Sequence, residues 1–204
     1  MVASVAVSET GRVEAFSDGV FAIAITLLIL EIKVPLDVPA GGLGNALFHQ
    51  WPSFLAFLAS FFTIGVMWMN HHRLFTLIGA ADEVLIGINL LLLLGITWVP
   101  FPTAVLAEHL ITPNNHVAGI VYGGTFFAIS LVFQLLWQYA TRRRGIIRPE
   151  KMEEAQHITR QYIWGPLFYF AAILIALWSG TAVLIWSALL AIYFAIPARL
   201  FARR

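Results

Sequence analysis

Apolar runs long enough to cross a bilayer recur along the chain, separated by short polar breaks. The first runs from about Val13 to Val34. At 1.5 Å per residue a helix over it reaches about 33 Å, enough for the hydrocarbon core. Pro35, Asp37, Pro39 and Gly41-Gly42 end it in a loop. A second run, about Trp51 to Phe75, closes on Trp68-Met69-Asn70-His71-His72-Arg73, and Asp82-Glu83 mark a turn. The third, about Val84 to Leu106, contains Asn89, and Pro100 and Pro102 are expected to kink its far end. The fourth, about Val117 to Tyr139, carries Gly119, Gly123 and Gly124, where a neighbouring helix can come close. Arg142 to Arg160 is the one substantial polar segment. A fifth run (about Tyr162 to Trp178), a tight Ser179-Gly180 turn and a sixth run (about Thr181 to Ile196) then form a hairpin, before Pro197 and a basic tail. The pattern predicts an all-α polytopic membrane protein: one domain over residues 1–204 with six transmembrane helices, and a short frayed segment over residues 1–11.

The first run has two faces. At about 100° per residue, with Ile23 as origin, Leu27 lies near +40°, Leu30 near −20° and Thr26 near −60°. Phe16, Gly19, Val20 and Val34 share that sector. Asp18 falls near 220°, on the opposite side. One face is therefore an apolar stripe with a single hydroxyl, and the other carries an acid in need of a partner.

Composition agrees with a membrane protein. The chain is 60% hydrophobic and 11% charged, with a mean hydropathy of +0.83; soluble domains are about 25% charged. It has no Cys, which excludes disulfides and thiol chemistry. No cleavable signal peptide is expected, because the first apolar run is too long and no small-residue cleavage site follows it. Net charge is only +1, so the distribution of charge matters more than its sum. With six spans, one side holds Arg12, Arg73, Arg142, Arg143, Arg144, Arg148, Lys151, Arg160, Arg199, Arg203 and Arg204; the other holds only Lys33. That asymmetry places both termini in the cytoplasm.

Candidate chemistry is sparse. Asp18 sits about 9 Å along the axis from Arg12, and Glu14, its i−4 neighbour, is a like charge. Its partner must come from another helix. The end of the second run reaches the same depth, so Arg12, Ser17, Asp18, Asn70, His71 and His72 are expected to form a polar cluster locking the first helix in place, since an unpaired buried acid is costly. Two alternatives stand beside it: a proton relay, or an interfacial acid solvated by headgroups. Adjacent His71 and His72 diverge by about 100° and rarely share one metal ion, and no chelating spacing occurs elsewhere. No phosphate loop, nucleophile elbow or paired catalytic carboxylates occur, which argues against an enzyme. By periodicity alone, Ile23, Leu27 and Leu30 read equally as core or lipid contact, and Thr26 as a hydroxyl bonded to its own helix.

The stretch Arg12…Phe16-Ser17-Asp18-Gly19-Val20-Phe21-Ala22-Ile23-Ala24-Ile25-Thr26-Leu27-Leu28 resembles the signature of the transmembrane protein 175 family of potassium channels. Trp68-Met69-Asn70-His71-His72-Arg73-Leu74-Phe75 resembles that family's second-helix motif. The resemblance implies a potassium-selective cation channel of the prokaryotic, six-span branch. Its first helix would line the pore of a homotetramer, without a P-loop filter; no Thr-Val-Gly-Tyr-Gly stretch is present. It implies hydrophobic gates at Ile23, Leu27 and Leu30, a potassium-preferring layer at Thr26, and a supporting network of Arg12, Phe16, Ser17, Asp18, Asn70, His71 and His72. Glu31, near +80°, is expected to make the outer mouth negative. Implied partners are further copies of the chain, membrane lipid and permeant potassium ions; no cofactor, metal or nucleic acid is implied. Rival readings are a secondary or proton-coupled transporter, which would show broken midplane helices, and a membrane scaffold.

Overall fold

The computed structural model describes residues 2–36 and 38–195. Apolar runs broken only by proline, glycine and charged turns fold as helices throughout. α1 (Val2–Leu27) tightens into a 3-10 turn at Leu28–Glu31; α2 (Leu43–His49) is a short helix before α3 (Trp51–Leu77). α4 (Glu83–Trp98) and α5 (Pro100–His109) follow, then α6 (Asn115–Arg142), α7 (Met152–Tyr162), α8 (Gly165–Ala176) and α9 (Gly180–Ala195). Among the described residues, four stretches are long and apolar enough to cross a membrane: Thr10–Glu31, Trp51–Leu77, Glu83–His109 and Asn115–Arg142. α8 and α9 are apolar but shorter, with 12 and 16 residues, against the about 20 of a straight span. Arg199, Arg203 and Arg204 of the basic tail, and Asp37 of the first loop, lie outside the described residues.

Three boundaries differ from the sequence pattern. α1 is already helical from Val2, where the sequence pattern expected a short frayed segment. The fifth run does not start at Tyr162. That residue ends α7, and the chain restarts at Gly165-Pro166, where a proline without an amide fits only the first turn of a new helix. The polar segment also contains α7 itself. It is amphipathic: Ala155, Ile158 and Tyr162 are buried, while Glu153, Glu154, Gln156, His157 and Arg160 face out. Trp137 Nε1 donates to Thr159 Oγ1 at 2.9 Å and pins this helix to α6.

The expected kink at Pro100 is a break between α4 and α5. The carbonyl of Ile96, which Pro100 cannot reach, accepts instead from Val99 N at 3.2 Å. Thr103 returns both its amide (3.2 Å) and its hydroxyl (2.9 Å) to Val99 O. Ser60 of α3 then joins Thr103 Oγ1 at 2.8 Å and the Tyr122 hydroxyl of α6 at 3.1 Å. A buried hydroxyl trio thus ties three helices at the point where the backbone ladder is interrupted.

α6 packs chiefly on α8, through glycines. A Cβ at Gly119 would meet Gly180 Cα at 3.1 Å and Ala176 Cβ at 3.2 Å, and one at Gly123 would meet Ala172 at 3.4 Å. Gly124, by contrast, has open space beside it. α3 touches α1, α5 and α9, whereas α1 packs on α3 and α4 at one side of the bundle. The α3–α4 and α6–α7 loops are zipped together. Ile78 and Ile147 form an antiparallel bridge, Gly79 N donates to Ile146 O at 2.7 Å, and Arg148 N donates to Leu77 O at 2.9 Å.

Asp82 secures the same corner. Its Oδ1 accepts from Leu85 N at 2.9 Å, capping α4; its Oδ2 accepts from the Tyr139 hydroxyl at 2.6 Å and lies 3.7 Å from Arg143 Nε. The Tyr139 bond first, and the Leu85 amide second, hold this carboxyl below its usual range. A depressed folded value stabilises the protein above the unfolded carboxylate value and stops doing so as pH falls through the folded value. Asp82→Asn preserves an N-cap oxygen, but puts an NH2 where Oδ2 accepts from Tyr139, so it removes the charge and that bond together. It is expected to lower the melting temperature of detergent-solubilised protein near neutral pH, and the difference from wild type should shrink in acid, as pH falls through the lowered folded value of Asp82. Melting curves at both pH values check this; a constant difference would assign the effect to shape rather than charge.

Candidate functional site

α1 turns one narrow face inward. Ser17, Phe21, Ala24 and Leu28 are buried at spacings of four, three and four residues. The opposite face is uncovered: Phe16 is 58% exposed, Ile23 60%, Leu27 42% and Leu30 62%, with Gly19 and Thr26 between them. This is the stripe marked by the helical period, and it lies away from the bundle. The Thr26 hydroxyl donates to Ile23 O at 2.9 Å. Its proton is therefore spent on its own backbone, and its oxygen is presented on the exposed face.

The polar residues separate into distinct sets rather than one cluster. In the first, His71 Nε2 donates to Asn89 Oδ1 at 2.9 Å, Asn89 Nδ2 donates to Ser17 Oγ at 2.9 Å, and Ser17 Oγ donates to Val13 O at 2.8 Å. All three side chains are buried, and they join α3, α4 and α1. His71 also stacks on Phe75 with centroids 4.5 Å apart, and its Nδ1 is buried with no hydrogen-bond partner among the described residues.

Asp18 belongs elsewhere. Its Oδ1 accepts from Trp68 Nε1 at 2.8 Å, so neither His71 nor His72 is its hydrogen-bond partner. His72 Nδ1 instead donates to Glu14 Oε1 at 2.7 Å and stacks on Trp68. Asn70 points away from α1: its Nδ2 donates to Phe194 O at 3.2 Å, and its Oδ1 accepts from the Tyr162 hydroxyl at 2.8 Å and from Arg73 at 3.3 Å. It ties α3 to α7 and α9.

Two further residues stand outside the expected network. Phe16 lies on the exposed stripe. Arg12 is exposed and makes no ion pair among the described residues; six residues from Asp18, it is rotated about 120° onto the side of Ile23 and Leu30. Sequence reasoning left Asn89 and Trp68 without roles. The signal for Asn89 was present, as an amide with five leucines after it, where an unpaired polar group is costly. The signal for Trp68 was its indole N–H beside the histidine pair.

At the far end of α1, Glu31 is not a free negative charge. Its side chain is 24% exposed, and Lys33 Nζ lies 3.7 Å from its Oε2. This end of the helix carries a matched pair where a net negative rim was expected, because the sequence spacing of two residues lets the lysine fold back across the 3-10 turn.

The endosomal/lysosomal potassium channel TMEM175 family matches residues 12–100. A protein of Chamaesiphon minutus named as a potassium channel is 52% identical over 93% of this chain and 95% of its own length. One from Streptomyces collinus, also named as a potassium channel, is 46% identical over 92% of both chains. The crystal structure of a lysosomal potassium-selective channel TMEM175 homolog from Chamaesiphon minutus superposes with a TM-score of 0.84 at 50% identity, covering 94% of this chain and 98% of that one.

The two kinds of polar contact should differ in cost. Asn89→Leu fills similar space but leaves His71 Nε2 and Ser17 without their shared partner in an apolar interior. It is expected to cost about 1–3 kcal/mol. Trp68→Phe removes the donor from a carboxylate that solvent still reaches, so its loss should be smaller, under about 1 kcal/mol. Unfolding of both variants in one detergent checks the order; an equal or reversed ranking would move the anchor of α1 from Asn89 to Trp68.

Proposed function

This chain belongs to the TMEM175 family, and from that membership we propose that it forms a potassium channel, with the uncovered face of α1 turned toward a central ion path. The observation that carries the reading is the face itself: an apolar stripe with one hydroxyl layer, on a helix held to its own bundle by the opposite side only. The likeness to a potassium-selective channel over nearly the whole chain supports it.

One bundle with α1 at its side cannot enclose a pore. Four copies around an axis, each presenting α1 inward, enclose one. The protein in this reading has six membrane spans: α1, α3, α4–α5, α6, α8 and α9. Both termini are cytoplasmic, and the membrane is the plasma membrane of a prokaryotic cell. Among the described residues, Arg73, Arg142, Arg143, Arg144, Arg148, Lys151 and Arg160 gather at or beyond the ends of α3 and α6, which is the cytoplasmic side in this topology.

Ile23, Leu27 and Leu30 span about 10 Å of helix axis. Four copies make stacked apolar rings. Water leaves a narrow ring of this kind, and an ion crossing it loses hydration that nothing replaces. Thr26 lies between two of the rings. Its hydroxyl oxygens offer weak ligands that interrupt the dry segment without trapping the ion. No step needs a bound cofactor. A carrier cycle is the weaker reading: α1 runs unbroken from Val2 to Leu27, and the break between α4 and α5 is closed by the buried Ser60–Thr103–Tyr122 hydroxyls.

The test is current per reconstituted tetramer, with thermal stability measured alongside. Ile23→Asn, Leu27→Asn and Leu30→Asn are each expected to raise conductance or open probability, with Ile23 and Leu30 strongest because they flank Thr26. Core residues would respond in the opposite sense, losing assembled protein and current. Unchanged or reduced current from well-assembled variants at all three positions would return the stripe to lipid contact. Thr26→Val keeps shape and removes the oxygen. It should lower potassium-over-sodium selectivity in bi-ionic reversal potentials while leaving assembly intact.

A further inference from the structure

One basic side chain stands apart from the rest. Lys33 follows the 3-10 turn that ends α1, at the end of the helix opposite Arg12. Its Nζ donates to Leu30 O at 2.9 Å and lies 3.7 Å from Glu31 Oε2. The backbone is fixed there, because Gln50 Nε2 donates to Lys33 O at 2.7 Å and ties the segment to the start of α3. The lysine side chain is 68% exposed. Leu30, whose carbonyl the ammonium covers, is part of the uncovered stripe.

Carbonyl oxygens in the last turn of a helix carry partial negative charge and face outward along the axis. They are the oxygens that a cation entering from this end would meet first. Here an ammonium already occupies one of them, Leu30 O, and the same charge offsets the carboxylate of Glu31. An exposed pair of this kind is held weakly, so the ammonium exchanges with solvent and leaves the carbonyl free for part of the time.

We propose that Lys33 sets the rate at which potassium enters the outer mouth: its ammonium competes with the incoming cation for Leu30 O and cancels the attraction of Glu31. This rests on the reading of α1 as the pore helix. A plain surface role, as a lysine capping its own helix end, would leave ion flow untouched.

The absence of cysteine from the chain gives a clean experiment. Lys33→Cys introduces one thiol, which methanethiosulfonate reagents added to the outer solution convert to an ethylammonium or an ethylsulfonate. In dilute potassium chloride, Lys33→Cys is expected to raise inward single-channel conductance by about twofold. The ethylammonium should restore the wild-type value, and the ethylsulfonate should raise conductance further. All differences should shrink toward 1 M salt, where the screening length falls from about 10 Å at 0.1 M to about 3 Å. A thiol that does not react from the outer side overturns the proposal. So does a conductance that is the same with either charge attached. Ile23→Asn in the same bilayers reports the pore reading separately. If it behaves as expected while Lys33 modification is silent, only the role of the mouth residue is wrong. If charge at position 33 alters current while Ile23→Asn does not, the mouth assignment stands and the gate does not.

Discussion

Everything about α1 depends on how few polar groups hold it. In an apolar interior a polar side chain without a partner is expensive, and a shared hydrogen bond is correspondingly directional. Asn89 satisfies His71 with its carbonyl and Ser17 with its amide, so one side chain on α4 fixes the rotation of α1 against α3 and α4 together. Phe21, Ala24 and Leu28 then pack along the same line. With that face committed, the rotation of the other face is no longer free. Ile23, Thr26, Leu27 and Leu30 must point away from the bundle.

The rest of the chain makes that side position tenable. α6 and α8 approach through Gly119 and Gly123, so the distal part of the bundle holds together without help from α1. The Ser60–Thr103–Tyr122 trio absorbs the backbone break that Pro100 imposes, and keeps α4–α5 beside α3. At one end, Asp82 and the Ile78–Ile147 bridge join the loops after α3 and α6. A helix that packs mainly on α3 and α4 stays oriented because those two are themselves tied to α6. In the proposed channel this arrangement would have a mechanical use: the lining surface could repack against other copies while its anchor stays in the subunit's own interior.

Charge along α1 is arranged by the same logic of local pairing. Glu14 and Asp18 each find a donor on α3, in His72 and Trp68. Glu31 finds Lys33. The acids at both ends are matched, and the central stretch of the helix is left with only the Thr26 hydroxyl on its open side. Such a surface takes lipid readily and water poorly. What it becomes is decided by what it faces, and four apolar faces turned toward one another make a narrow dry passage.

The sequence alone was enough for the helical class, the long apolar runs, the family resemblance and the division of α1 into two faces. These follow from the 100° step between residues and from hydropathy, both of which are local. It did not reach the partners. Ser17 meets Asn89 across 72 residues, and Asp18 meets Trp68 across 50. Which donor lies at which depth depends on the rotation and slide of whole helices, and no spacing along the chain encodes that. The same limit explains Asn70, which shares a turn with His71 but projects toward Tyr162 and Phe194 instead of α1. It explains Glu31 as well, whose neighbour's ammonium returns across a 3-10 turn that hydropathy does not reveal. Periodicity decided which residues share a face; only the packed helices decided what each face meets, because partner choice is a property of interhelical geometry.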